Sequence, residues 1–381
     1  MKHVGIICEY NPFHTGHAHL IKSLTGANAV ICVMSGNFTQ RGEAAILPPH
    51  TRAAMAIAGG ADLVLELPFP FAASSARYFA TAGVRALGGL GVDTLAFGSE
   101  GGDLGALQEL AARAPEGAYR SRDKSQGDAA AYFDALGGDL SSNDILAVEY
   151  LRAIKREAPF ITPLTVCRKG AEYGDTVLKK DEYPSAMALR REMAAGGDVL
   201  AHIPPEAREI LGQGIARYGT ADIARLGTAM LALLRGNGAQ NEGLSRVAEC
   251  GGGLLSRLVK CALEASDYAT LCALAATKRY TNGRIRRALL YLLSGVTRED
   301  LVAHPSYLRL LAASGRGREF LAATAKLRTV PVVTKQSEIS TLGSAAARQR
   351  ELSRVADGLY SLCFENPLSP HALQTKSPLL F

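Results

Sequence analysis

The sequence predicts an α/β fold: a doubly wound parallel sheet in the first half, followed by a mainly α-helical second half. Three observations carry this. Short apolar runs rich in Val, Ile and Leu alternate with helical patterns up to about residue 200. Those runs are continuous rather than alternating, as strands covered on both faces require. Beyond residue 200 the apolar residues recur at helical spacing. At 381 residues the chain exceeds what one core usually covers, so two domains are expected, 1–200 and 201–381.

In order, "HVGIIC", "AVICVM", "DLVLEL", "DTLAFG" and "FITPLTVC" read as strands, bounded by Gly, Pro or Asp. Between them "GHAHLIKSL", "HTRAAMAIAGG", "SSARYFATAGVRAL" and "SNDILAVEYLRAIKRE" read as helices, and residues 101–142 as a helix with a surface excursion. In the second half "TADIARLGTAMLALLRG", "LLSRLVKCALEASDYATLCALAA", "GRIRRALLYLLSGV" and "GREFLAATAKLR" read as amphipathic helices, with one short strand candidate at "TVPVVTK".

No apolar run approaches the ~18–20 residues of a membrane span, and no stretch reads as a secretory signal. Cys8, Cys32, Cys167, Cys250, Cys261, Cys272 and Cys363 show no CxxC spacing, so reduced, mostly buried thiols in a cytoplasmic protein are expected, with no zinc site. The net charge of +6 is uneven. Residues 1–200 hold 19 Lys and Arg against 22 Asp and Glu; residues 201–381 hold 23 against 14. A basic half beside a near-neutral one suits a polyanionic partner. No protein partner is evident from the sequence.

The chemistry concentrates in "YNPFHTGH", residues 10–17, directly after the first strand. Ligands of parallel α/β sheets bind outside the carboxyl ends of strands. A helix starting there offers N–H groups and partial positive charge to phosphate. Gly16 permits close backbone approach. His14 and His17 can donate hydrogen bonds to phosphate oxygens as charge builds in a transition state. The competing reading makes His14 a helix cap and His17 a packing residue. The long polar loop "SGNFTQRGEAAIL" is placed to close over the site and shape a small acyl pocket. Glu9 reads as structural, and Asp62 as a cap or turn residue.

"HTGH" resembles the HxGH signature of nucleotidyltransferases related to class I aminoacyl-tRNA synthetases, whose catalytic domain is Rossmann-like. Together "VGIICEYNPFHTGHAHL", "VMSGNFTQRGEAAIL", "DLVLELPFPFA", "FGSE", "SNDIL" and "TKRYTNGRIRRALL" resemble the bacterial tRNA(Met) cytidine acetate ligase family, from residue 2 to about 335. The resemblance implies activation of acetate by ATP as acetyl-adenylate. The acetyl group then passes to the wobble cytidine of elongator methionine tRNA, giving N4-acetylcytidine. It implies catalytic roles for His14 and His17. It implies ATP contacts from Ile7, Cys8, Glu9, Tyr10, Asn11, Pro12, Phe13, His14, Thr15, Gly16, His17, Ala18, His19 and Leu20, and from Gly98, Asn143 and Arg168. Magnesium is expected to accompany ATP.

Each distal position also has a reading of its own. Gly98 ends the fourth strand, where a side chain would obstruct a base or ribose. Asn143 can cap the following helix. Arg168, after the fifth strand, can pair with phosphate. "PSAMALR" stands where the superfamily has a second motif, usually ISSTxxR. Ser185, expected on that match to contact ATP, and Arg190 agree with it, Pro184 and Ala186 depart, and there is no KMSKS-like lysine; Lys179, Lys180 and Arg191 are the nearby cations. In the basic half, Lys278, Arg279, Arg284, Arg286 and Arg287 surround Tyr280, a pattern suited to tRNA phosphates with stacking on an unpaired base. Arg316, Arg318 and Lys335 can extend that track. Two other readings stay open: an adenylyltransferase for a small phosphorylated substrate, and an RNA-binding protein without catalysis.

Overall fold

The computed structural model describes residues 3–114, 132, 140–167, 183–237 and 242–381. The first half runs β1 (Val4–Cys8), α1 (Thr15–Ser23), β2 (Val30–Ser35), α2 (Pro49–Ala58), β3 (Leu63–Leu67), α3 (Ala76–Leu90), β4 (Thr94–Ser99), α4 (Leu104–Arg113), α5 (Ser142–Glu157), β5 (Thr162–Cys167) and α6 (Ala186–Ala194). The second continues with α7 (Pro205–Tyr218), α8 (Gly227–Asn237), α9 (Glu242–Ser245), α10 (Leu254–Glu264), α11 (Tyr268–Ala275), α12 (Asn282–Ser294) and α13 (Arg298–Val302). It ends with β6 (Leu308–Ala313), α14 (Gly315–Ala323), β7 (Val332–Val333), α15 (Ser344–Ser361), α16 (Pro370–Thr375) and β8 (Leu379–Leu380).

The strands form one sheet in the order β5-β4-β1-β2-β3-β6-β7, with β8 on β6. β1 to β5 are all parallel, as the crossover helices require. Alternate residues face opposite layers. Ile7, Ile31 and Leu65 pack with Phe79, Leu87 and Ile154, while Ile6, Cys32 and Val64 pack with Met55 and Leu211. A separate helical core gathers Met230, Leu258, Leu271, Leu289 and Tyr360.

Two expectations need correction. The strand pattern does not stop near residue 200, and the sheet is not wholly parallel. β6 joins the sheet antiparallel to β3, pairing Leu63 with Ala313 and Glu66 with Arg309. Its sequence, LRLLAA, is Leu- and Ala-rich with no β-branched residue, so propensity favours a helix, and burial against α2 overrides it. The sheet thus runs across the boundary expected near residue 200.

The strand order reverses at β1. The chain steps outward from β1 to β2 and β3, then returns to place β4 on the other side of β1. The crevice between β1 and β4 at their carboxyl ends is therefore the place where this topology leaves room for a ligand. α14 leaves β6 opposite the start of β3, at the other end of the sheet. Arg316 and Arg318 therefore do not extend the basic track toward the crevice, and Arg316 is paired with Asp62.

Candidate active site

β1 ends at Cys8, and Tyr10 turns the chain in the left-handed region at φ 47°. For a non-glycine residue that conformation costs roughly 1–2 kcal/mol. It is held by burying the ring at 1% exposure and by a 3.4 Å contact between its hydroxyl and the Cys32 thiol. Tyr10 and Phe13, edge to face at 4.9 Å, anchor the loop in the core. His14 is then the N-cap of α1.

The two histidines cap one another's turn. The Gly16 N–H donates to His14 Nδ1 at 3.1 Å, and the His14 N–H donates to His17 Nδ1 at 3.3 Å. Because both Nδ1 atoms accept, the neutral rings carry their protons on Nε2, a tautomer assigned from this network. The rings lie 3.7 Å apart and tilted by 33°. So the cap and donor readings of His14 coexist: one nitrogen holds the helix start and the other is a donor. The expected open N–H groups of α1 are partly taken up, since Gly16 N–H serves the cap. A side chain at position 16 would crowd the cap: a Cβ there would stand 3.0 Å from His14 Cε1 and 3.1 Å from Nδ1.

A cleft of about 1860 Å³ opens over this turn, reaching from β1 and β4 to α12. Ile7, Cys8, Glu9, Tyr10, Asn11, His14, Gly16, His17, His19 and Leu20 line it, whereas Pro12, Phe13, Thr15 and Ala18 do not. Gly98 and Asn143 line it as expected. Asn143 is not the helix cap, however. Ser141 caps α5, and the Asn143 amide donates to Glu100 at 2.7 Å. Ser185 caps α6 through Ala188 N–H and is not among the cleft-lining residues; Arg190 and Arg191 are. Arg168, Lys179 and Lys180 lie outside the described residues. Lys335 lines a separate small cavity beside Glu66 and Asp357.

Twelve arginines, five carboxylates and no lysine line the cleft among the described residues, a surplus of planar cations suited to phosphate. The basic cluster is more internal than its sequence suggests. Tyr280 is buried at 7% exposure, its hydroxyl donating to Gly252 O, with Arg279 and Arg284 over its ring at 5.5 and 5.4 Å. Burial makes it a platform for these guanidiniums, which is a correction to the expected base stack. Arg287 is buried and pairs with Glu249 at 3.0 Å; Arg284 donates to the carbonyls of Glu249 and Gly251. Arg286 pairs with Glu43. Lys278 is exposed and Arg279 half-buried.

Sequence reasoning missed Arg52. It lies in α2, fully buried, and donates to the carbonyls of Leu47 at 2.9 Å, Glu9 at 2.5 Å, Ser35 at 3.0 Å and Gly36. It thereby ties the ends of β1 and β2 together beneath the cleft. Burial lowers its pKa, while Tyr360, Cys8, Glu9 and Glu66 oppose that shift. Glu9 accepts from Gln40 N–H at 2.7 Å; burial raises its pKa, and that bond, Arg190 and Arg41 lower it. Asp62 is the turn residue expected, accepting from Val30 N–H and Ser314. Six of the seven cysteines are buried thiols; Cys167 is exposed.

Among the described residues no group of three His, Cys, Asp or Glu side chains is arranged to hold a metal ion. No helix among them is long and apolar enough to cross a membrane.

A strand, an HxGH turn and a helix N-terminus at the switch crevice, facing an arginine-lined cleft, define a nucleotidyl-transfer site. A model of the HIGH nucleotidyl transferase family matches residues 1–375. A protein of Syntrophotalea carbinolica named tRNA(Met) cytidine acetate ligase is 38% identical, over 89% of this chain and 86% of its own. One of the same name from Acetivibrio thermocellus is 34% identical, over 96% of both chains. The crystal structure of Thermotoga maritima TmcAL matches all of both chains with a TM-score of 0.89 at 29% identity. The form bound with alpha-thio ATP matches with 0.86 at 28%. The chain belongs to the HIGH nucleotidyl transferase family and, within it, to the tRNA(Met) cytidine acetate ligases.

Proposed function

We propose that this protein uses ATP and acetate to acetylate the wobble cytidine of elongator methionine tRNA in the cytoplasm. The observation that carries the reading is the paired HTGH cap: His14 and His17 both accept through Nδ1, which leaves Nε2 as the donor nitrogen of each neutral ring, and both line the arginine-rich cleft. An acetate oxygen attacks the α-phosphorus of ATP, and pyrophosphate leaves. His14 and His17 stabilise the charge that builds on the phosphoryl oxygens, a contribution worth about 10²–10³ in rate per donor. The cytidine amine then attacks the acetyl carbon, the bond from that carbon to the bridging oxygen breaks, and AMP leaves with the oxygen. No protein nucleophile is needed.

ATP lies along residues 7–20, with Gly98 leaving room for base or ribose and Asn143 held by Glu100; Arg168 completes the set the resemblance implies, and Ser185 acts through the start of α6, which it caps. Magnesium would enter with ATP, supplying charge neutralisation at the phosphates. Residues 1–200 hold the ATP, and 201–381 supply the grip on the tRNA. Lys278 and Arg279 supply accessible charge to its phosphates, and Tyr280, Arg284 and Arg287 build the wall on which that charge stands.

The test supplies ATP, labelled acetate and total tRNA. Label in tRNA, dependent on ATP, is the expected result. Turnover that requires a phosphorylated small molecule instead, or RNA binding with no ATP consumption, overturns the reading.

A further inference from the structure

The polar loop between β2 and α2 is built largely by residues far away in the chain. Thr39 and Glu43 close it on themselves through Thr39 N–H to Glu43 O at 2.9 Å. Its Glu43 carboxylate is shared by two arginines. Arg190 of α6 meets Oε2 at 3.0 Å, and Arg286 of α12 meets Oε1. Arg190 also donates to the carbonyl of Asn11 at 2.9 Å, three residues before His14. The loop lies directly on the second turn of α12, at Arg286 and Arg287. Gly42 sits at φ +71°, and a Cβ there would come within 2.7 Å of the Arg287 backbone nitrogen. Arg287 donates to Gln40 O, while Gln40 N–H donates to Glu9 beside the HTGH turn.

A chain of contacts therefore runs from α12 through Glu43 and Arg190 to the backbone under the histidines. Arg190, Arg286 and Glu43 all line the cleft, with side chains between a fifth and a third exposed. The Arg190 guanidinium is fixed in direction because its Nη1 donates to Asn11 O and its Nη2 to Glu43, while Arg286 holds the other oxygen of that carboxylate.

We propose that Arg286, supplied by the basic half, is a positioning residue of the adenylation site. Through Glu43 it fixes the Arg190 guanidinium and the Asn11 turn, so that the two halves cannot be separated into an adenylating and a tRNA-holding part. The inference rests on the acetyl-adenylate reading.

The test is acetate-dependent exchange of labelled pyrophosphate into ATP without tRNA, beside tRNA binding at several salt concentrations. The parent protein must show exchange; its absence would overturn the acetyl-adenylate reading itself. Given exchange, Arg286→Met should lower the exchange rate about 10- to 100-fold, the cost of a misplaced reacting geometry. Arg286→Lys should recover part of it, and tRNA affinity and its salt slope should match the parent. Glu43→Gln should produce a similar loss, and the double variant should be no slower than the worse single one. Exchange at the parent rate with weakened tRNA binding in Arg286→Met would overturn the proposal and return Arg286 to the tRNA track. Additive losses in the double variant would also overturn it. Should Arg286→Met fail to fold, Glu43→Gln decides alone: exchange at the parent rate overturns the proposal, and loss with unchanged tRNA binding supports it.

Discussion

His14 does two things with two nitrogens, and substitution can separate them. His14→Ala removes both the Nδ1 cap on Gly16 N–H and the Nε2 donor. His14→Asn removes only the donor, because an Asn side-chain oxygen is among the best N-caps and reaches the same first-turn N–H groups. Losing the cap costs about 1 kcal/mol, read as a Tm lower by roughly 1–3 °C in a chain of this size. Losing the donor costs about 10²–10³ in the rate of adenylation. The Ala variant should therefore fall in both Tm and acetate-dependent pyrophosphate exchange, and the Asn variant in exchange alone. The 3.1 Å Gly16 contact is ordinary for a cap, so nothing in the geometry favours the imidazole over Asn on stability grounds. Exchange restored by Asn to within a few-fold of the parent would refute the assignment and leave His14 as a cap only.

Two further perturbations follow from the same contacts. Gly42→Ala places a Cβ 2.7 Å from a backbone atom of α12 at a φ of +71°; it should lift the loop from α12, lowering Tm and exchange together, and a variant indistinguishable from the parent would show that the loop is not seated there in solution. Burial, with Glu66 adding, raises the Asp357 carboxyl to about 7, while Asn37 and Arg309 oppose it. An unfolded Asp titrates near ~3.9, so between about pH 4 and 7 the folded chain holds the extra proton; stability from this group falls as pH rises through that window and is flat above it. Asp357→Asn should remove that slope and raise Tm at pH 8 relative to the parent, whereas parallel pH profiles would contradict the burial argument.

The first five strands and the crevice were legible because they rest on local pattern. Val-, Ile- and Leu-rich runs mark strands covered on both faces, and HTGH directly after the first of them marks the carboxyl edge. What stayed hidden is non-local. LRLLAA becomes a strand only because β3 offers it an edge. An arginine in a helix reads as solvated, yet Arg52 lies under four carbonyls from the two connections that follow β1 and β2. The loop after β2 is held by Asn37 to Asp357, at 2.6 Å across 320 residues, and by Tyr360 to Ala45 O at 2.6 Å. No spacing rule reaches that far. Tyr280 misled for a related reason: cations around an aromatic look like an RNA track, and here the ring is buried and the cations close over it.

The central claim is that acetate attacks the α-phosphorus of ATP and that the amine of the cytidine then breaks the acyl side of the intermediate. Acetate carrying two 18O atoms follows both steps at once. Supplied with ATP and methionine tRNA, the protein should release AMP bearing one 18O and leave the other in the acetyl carbonyl on the tRNA, with unlabelled pyrophosphate. AMP free of 18O, or label appearing in inorganic phosphate with ADP as the nucleotide product, would contradict the account.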